Sequence, residues 1–221
     1  MISESTYDHY FENLIKGNRQ ICSDMVDGIM DSGESIRNVY DQLFRRSLYQ
    51  VGELWERNLL SVATEHMATA ITENLMIKMQ PQLFSIGRTG KKAVIACLAK
   101  EHHQVGAKMI ADIFEMHGWD GYFVGANKPA GELIKIIEKI QPDLIGLSLS
   151  VYFNIGELRK TLKEIREHFP GITVIIGGQA FRWGGATIAN EFTDVHYIDS
   201  IYTLESMLDK ADTGDLHFKK S

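Results

Sequence analysis

After residue 92 the sequence changes its period. Five short runs rich in aliphatic and β-branched residues, 93–99, 120–125, 143–149, 172–178 and 195–199, alternate with helix-spaced segments at 104–117, 130–140, 154–168, 185–192 and 202–210. The first run, Ala93-Val94-Ile95-Ala96-Cys97-Leu98-Ala99, has no polar side chain. A strand without polar alternation is buried on both faces, and alternating helices supply that cover around a parallel sheet. The expectation for 93–221 is therefore an α/β domain. Its five parallel strands should follow the flavodoxin-like (Rossmann-type) order 2-1-3-4-5.

The first 85 residues carry helical periodicity and almost no strand signal. Thr6–Lys16 should close on Gly17-Asn18, a good left-handed cap. Arg19–Met30 follows, ended by Asp31-Ser32-Gly33. Ser35 can cap a third helix, in which Ile36, Val39, Tyr40, Leu43, Phe44, Leu48, Val51 and Trp55 recur at helical spacing. A fourth should run from about Ser61 to Met79 and stop before Pro81. Short connections between four helices predict an antiparallel bundle over 1–85. Two glycines and three cations without periodicity make 86–92 a linker, and the polar tail from Ala211 should fray.

A chain of 221 residues has room for one large or two small domains, and its 44% hydrophobic content can build a core. The net charge of −6, with no block of Lys and Arg, argues against general nucleic-acid affinity. Cys22 and Cys97 are far apart in apolar surroundings, which predicts reduced core thiols and a cytoplasmic protein. The polar start and the absence of a long apolar run predict neither a signal peptide nor a membrane span. No Ser-His-Asp order, glycine-rich phosphate loop or acid pair invites a hydrolase reading, so no catalytic activity of its own is expected.

Glu101-His102-His103-Gln104-Val105-Gly106 follows the first strand directly. His103 thus falls at a strand's carboxyl end, where open α/β sheets bind ligands. A neutral imidazole is a good transition-metal ligand, and Glu101 could hold the ring's other N–H. Gly106 at the helix start lets a bulky group approach the backbone. His9, His117, His168, His196 and His217 show no ligand spacing, and His102 should be exposed. Trp119 and Trp183 read as core or surface residues.

The spacing resembles the Asp-x-His-x-x-Gly signature of cobalamin-binding domains, with Glu101 in the aspartate position. Ser148, ending the third strand run, resembles the family serine beside the cofactor's nucleotide tail; Ser150 is grouped with it. Gly177-Gly178 resembles the paired glycines along the same tail, where a side chain would block the channel. The resemblance implies base-off cobalamin with His103 as lower cobalt ligand. It also implies that Val at 177 or 178 would block the tail while sparing the fold.

Trp55, nine residues, then Glu65-His66 resembles the Trp-x9-Glu-His motif of light-sensing adenosylcobalamin-binding domains of CarH-type photoreceptors. Read from the residues alone, Trp55 continues an apolar stripe as a core residue, and Glu65 and His66 are solvated. The resemblance implies that Trp55 packs on the upper ligand, Glu65 accepts from ribose hydroxyls and His66 closes the pocket, with the helical bundle capping the cofactor. Two departures stand out. The chain shows no room for a DNA-binding domain, so direct DNA binding is not expected. Glu56 follows Trp55 where the photoreceptor pattern has a histidine, which puts a two-histidine photoproduct in doubt.

Two functions use this architecture. One is a sensor of adenosylcobalamin and light that signals through a protein partner, with homo-oligomerisation as a further option. The other is a corrinoid shuttle carrying methylcobalamin's methyl group between methyltransferases. The enclosed-pocket motif favours the sensor.

Overall fold

The computed structural model describes residues 2–83 and 87–213. Its contacts divide the chain into two compact units, Met1–Gln82 and Leu83–Ser221.

Helices are the only regular elements among the described residues of the first unit. Helix α1 (Glu4–Lys16) begins at Ser3, whose hydroxyl accepts from the Thr6 N–H, and ends at Gly17 with φ 75°. Both are local devices: a side-chain acceptor for an orphan N–H and a residue free to turn left-handed. Helix α2 (Arg19–Asp31) follows. Ser35 does cap the third rod, accepting from the Asn38 N–H at 3.2 Å. That rod is not uniform: α3 (Ile36–Asn38) passes through a π-helical stretch, Val39–Arg45, into α4 (Arg46–Glu56). A wider turn shifts the phase of everything after it. Ser47, rather than Leu48, is therefore fully buried beside Val51.

Helix α5 (Val62–Leu83) starts after Ser61, whose hydroxyl accepts from the Thr64 N–H at 3.1 Å. It runs through Pro81 instead of stopping before it. A proline this near the carboxyl end removes one backbone bond, to the carbonyl of Ile77, and Ile77 is itself exposed. Tyr10, Leu14, Cys22, Tyr40, Leu43 and Phe44 form the buried interior.

The second unit carries five parallel strands in the order β2-β1-β3-β4-β5, as the alternation required. They are β1 (Lys92–Cys97), β2 (Asp120–Phe123), β3 (Leu144–Ser148), β4 (Thr173–Gly177) and β5 (Val195–Tyr197). Helices α6 (Val105–Met116), α7 (Ala130–Ile140), α8 (Ile155–His168) and α9 (Ile201–Thr213) connect or follow them. Val94, Ala96, Ile145, Leu147, Val174 and Ile176 point toward α7 and α8, meeting Leu133, Ile137, Leu158 and Leu162 in one core. The alternate residues Ala93, Ile95 and Cys97 are buried too, and α6 packs on β1 and against α9. Burial on both faces is why the strands read as unbroken apolar runs.

Three boundaries differ from the sequence reading. The segment expected as helix 185–192 is a 3₁₀ turn, Ala186–Glu191, entered through Gly184 and Gly185 at φ 115° and 83°. Helix α9 continues to Thr213, past the expected fraying point at Ala211. Residues 87–91, read as linker, are tied to the α6–β2 turn. The Thr89 N–H donates to the Gly118 carbonyl at 2.7 Å and Arg88 to the Trp119 carbonyl at 2.9 Å, while Lys92 opens β1. Ile86 and the tail from 214, with His217, lie outside the described residues. No described helix is long and apolar enough to cross a membrane.

Candidate functional site

The register sets the site. Cys97, Ser148 and Gly177 pair across the carboxyl ends of β1, β3 and β4, so the loops that follow all open on one edge of the sheet. Of these, the loop between β1 and α6 carries the chemistry.

Glu101 lies in that loop with 0% exposure. Its Oε1 accepts from the His103 backbone N–H at 3.0 Å and stands 2.7 Å from His103 Nδ1. Its Oε2 accepts from the Ser150 and Val151 N–H groups at 2.7 and 3.0 Å. Burial, the largest single influence, pushes this carboxyl's pKa up. The His103 side chain and the three backbone donors together outweigh it and hold the group below the ordinary glutamate value. A buried carboxylate is thus kept ionised by four donors.

With Nδ1 hydrogen-bonded to a carboxylate, the ring proton belongs on Nδ1 and the lone pair on Nε2. The His103 side chain is 63% exposed, so the donor nitrogen sits on a ring presented to solvent rather than packed. Three residues on, Gly106 is the second residue of α6, and apart from its chain neighbours and its own helix backbone no atom lies within 4 Å of where a Cβ would be. A large planar group has room to approach there.

Two neighbouring loops hold this one. Asn127 Oδ1 accepts from the Lys100 N–H at 2.8 Å, and the Asn127 N–H donates to the Glu101 carbonyl at 2.8 Å. Lys100 Nζ reaches Glu157 at 2.9 Å, and Asn154 donates to the Lys100 carbonyl at 3.3 Å. Both Lys100 and Asn127 have positive φ, 65° and 52°. Sequence reasoning missed Asn127, Val151 and Asn154. Only Asn127 left a signal, as an asparagine in the turn-like Gly125-Ala126-Asn127-Lys128-Pro129.

The paired glycines correct one expectation. A Cβ on Gly178, where φ is 119°, would collide with the Leu149 carbonyl, and one on Gly177 would stand 2.9 Å from the Ile198 carbonyl. Both positions are constrained by this chain's own backbone. Val at either site would strain the fold and not merely block a channel.

Trp55, Glu65 and His66 belong to the helical unit. Trp55 near the end of α4 is 47% exposed, so it is not a core residue. Leu59 and Val62, on either side of the α4–α5 connection's end, are also exposed. Glu65 in the first turn of α5 accepts from Thr69 Oγ1 at 3.1 Å, and its Oε2 lies 3.3 Å from Nε2 of His66, whose side chain is 75% exposed. Trp119 is buried and Trp183 exposed. Cys22 and Cys97 are free and buried, as expected of core thiols.

Among the described residues, no three His, Cys, Asp or Glu side chains converge as a metal site. A metal that arrives with its own equatorial macrocycle needs one protein ligand, and the His103 imidazole backed by Glu101 has the chemistry to supply it.

One B12 binding domain model matches residues 91–205, more than half of the chain, and a second matches 6–78. The chain is 27% identical over 161 residues to the HTH-type transcriptional repressor CarH of Myxococcus xanthus. It is 25% identical over 159 residues to the repressor CarA of the same organism. Each match covers 72% of this chain and only 53% or 54% of the repressor, so the chain spans about half the length of these relatives. The fold is that of the monomethylamine corrinoid protein of Methanosarcina barkeri, with a TM-score of 0.78, 12% identity and coverage of 93% of this chain and 98% of that one. The methanol:cobalamin methyltransferase complex MtaBC from the same organism gives a TM-score of 0.53 at 12% identity, covering 98% of this chain and 83% of that one. By its two matched domains and by the fold that carries them, this chain belongs to the B12-binding domain family.

Proposed function

We propose that this cobalamin-binding protein is a sensor that holds adenosylcobalamin base-off, with His103 on the lower face of cobalt and Trp55, Glu65 and His66 around the adenosyl group. The observation that carries the lower half is the buried Glu101 carboxylate on His103 Nδ1, which leaves Nε2 as the donor nitrogen. When bound, the cofactor supplies a cobalt–carbon bond that light can cleave. This chain's residues bind and orient it. His103 coordinates, Glu101 fixes the ring, and Ser148, Ser150, Gly177 and Gly178 border the nucleotide tail.

The upper half rests on exposure. An indole left half in solvent, with an ionisable carboxyl one helix away, suits a group that is partly apolar and partly a diol. Loss of that group on illumination would remove a ligand that favours one arrangement of the protein, and the change would pass to a protein partner. The likeness to CarH along 72% of the chain favours this reading.

Binding of adenosylcobalamin and methylcobalamin, each measured in darkness, tests it. The sensor should prefer the adenosyl form, and Glu65→Ala should erase much of the preference, a loss of about 1–3 kcal/mol for ribose hydroxyls left without their acceptor. Gel filtration before and after green light should show a change in size or shape. Equal affinities and an unchanged elution would instead support a methyl carrier serving methyltransferases.

A further inference from the structure

Cys97 ends β1 with its side chain fully buried. Its backbone is held by the loop after β2: the Cys97 N–H donates to the Gly125 carbonyl and the Lys128 N–H to the Cys97 carbonyl, both at 3.1 Å. The sulfur is therefore a fixed point, and from it the thiol donates to the His103 backbone carbonyl at 3.6 Å. On its other side stands Ser148, the partner of Cys97 in the parallel β1–β3 pair. Paired residues send their side chains to the same face of a sheet, and the Ser148 hydroxyl is a hydrogen-bond donor to the sulfur. We propose that Cys97 is a positioning residue that carries the state of the Ser148 hydroxyl to the backbone of the His103 loop.

Hydrogen bonds in series polarise one another. A sulfur that accepts from Ser148 is a better donor to the His103 carbonyl, and a sulfur that has lost that partner is a poorer one. The thiol keeps its proton throughout, because burial first and the Glu101 carboxylate second push its pKa up to about 12. No proton changes hands along the relay; only the hold on the loop changes. A thiol is a weak donor, so that hold can vary while the stronger bonds made by Glu101 and Asn127 keep the loop in shape.

The consequence is a preference among corrinoids. With Ser148 beside the nucleotide tail, filling the tail channel turns the hydroxyl away from sulfur and loosens the His103 peptide. A corrinoid without a tail leaves the hydroxyl on sulfur and the peptide held. Cys97 then makes the ligand loop yield more readily to a complete cobalamin.

Infrared absorption of the S–H stretch tests this, first in cofactor-free protein. The band lost in Cys97→Ala and kept in Cys22→Ala belongs to Cys97. In the parent it should lie at the low frequency of a hydrogen-bonded thiol, and Ser148→Ala should move it up without removing it. A parent band at the frequency of a free thiol, or a band that Ser148→Ala leaves unmoved, would overturn the proposal. Only the cofactor arm rests on Ser148 meeting the nucleotide tail. There, cobalamin should move the parent band as Ser148→Ala does, and cobinamide, which lacks the nucleotide, should not. Cys97→Ala should narrow the parent's preference for cobalamin over cobinamide roughly 2–10-fold, whereas general damage to the fold would weaken both alike. If Ser148→Ala moves the band and cobalamin does not, the tail reading fails and the relay stands. If cobalamin moves the band and the preference does not narrow, the relay does not reach the ligand loop, and that overturns the proposal.

Discussion

The carbonyl of Leu149 occupies the space that a Cβ on Gly178 would need. That carbonyl also accepts from the Ala180 N–H at 3.2 Å, so it cannot swing away without loosening the turn after β4. The left-handed φ of Gly178 adds a second penalty for any other residue. Gly178→Ala should therefore destabilise the protein by more than about 1–2 kcal/mol, the cost of the backbone conformation alone. Urea unfolding of the cofactor-free protein would measure it. A variant as stable as the parent would mean that the turn adapts, and that the glycine serves only the ligand.

Gly106 should behave in the opposite way. Space is open around it, and it lies within the first turn of α6. Alanine there should leave stability unchanged or raise it by up to about 1 kcal/mol. It should still weaken cobalamin binding, because the added methyl enters the approach beside His103. Unfolding and cobalamin titration on the same preparation would show the two effects moving apart.

Asn127 should matter to the ligand loop through the backbone it holds. Its side chain holds the Lys100 N–H, and its own φ of 52° suits asparagine or glycine. Asn127→Gly keeps the backbone and loses one hydrogen bond, a cost of about 0.5–1.5 kcal/mol. Asn127→Ala should cost more, since it adds the conformational penalty. Denaturant midpoints for the two variants should rank in that order.

The helical unit should weaken in alkali. Burial pushes the Cys22 thiol up to about 11, whereas in the unfolded chain it ionises near the ordinary cysteine value. The stability tied to this group is complete below the unfolded value and is lost as pH rises toward 11, because the unfolded chain releases its proton first. Cys22→Ala should be less sensitive to pH across that window. Denaturation midpoints at pH 8 and pH 10.5 for both proteins would test this.

Much of this architecture was legible. The parallel order followed from strands apolar on both faces, and Gly17, Ser35 and Ser61 announced helix ends by local chemistry. The features that escaped are relations between distant segments. No local signal marks the π-helical stretch at Val39–Arg45, which depends on packing around the whole rod. Pro81 misled because its usual effect weakens near a helix end. In the site, His103 and Glu101 were readable from spacing. The second half of Glu101's role lies 49 and 50 residues away in the backbone of Ser150 and Val151, which side-chain motifs do not encode. The reason for Gly177 and Gly178 was likewise invisible until the opposing carbonyls were in place.

We propose that His103 replaces the cofactor's own base on cobalt. Electron paramagnetic resonance of bound cob(II)alamin tests it directly, using protein labelled with nitrogen-15 histidine and unlabelled cofactor. Coordination by His103 should convert the superhyperfine triplet into a doublet on labelling, and His103→Ala should abolish the doublet. A triplet that persists in the labelled protein would show the cofactor's own nitrogen still bound and would rule out His103 as the ligand.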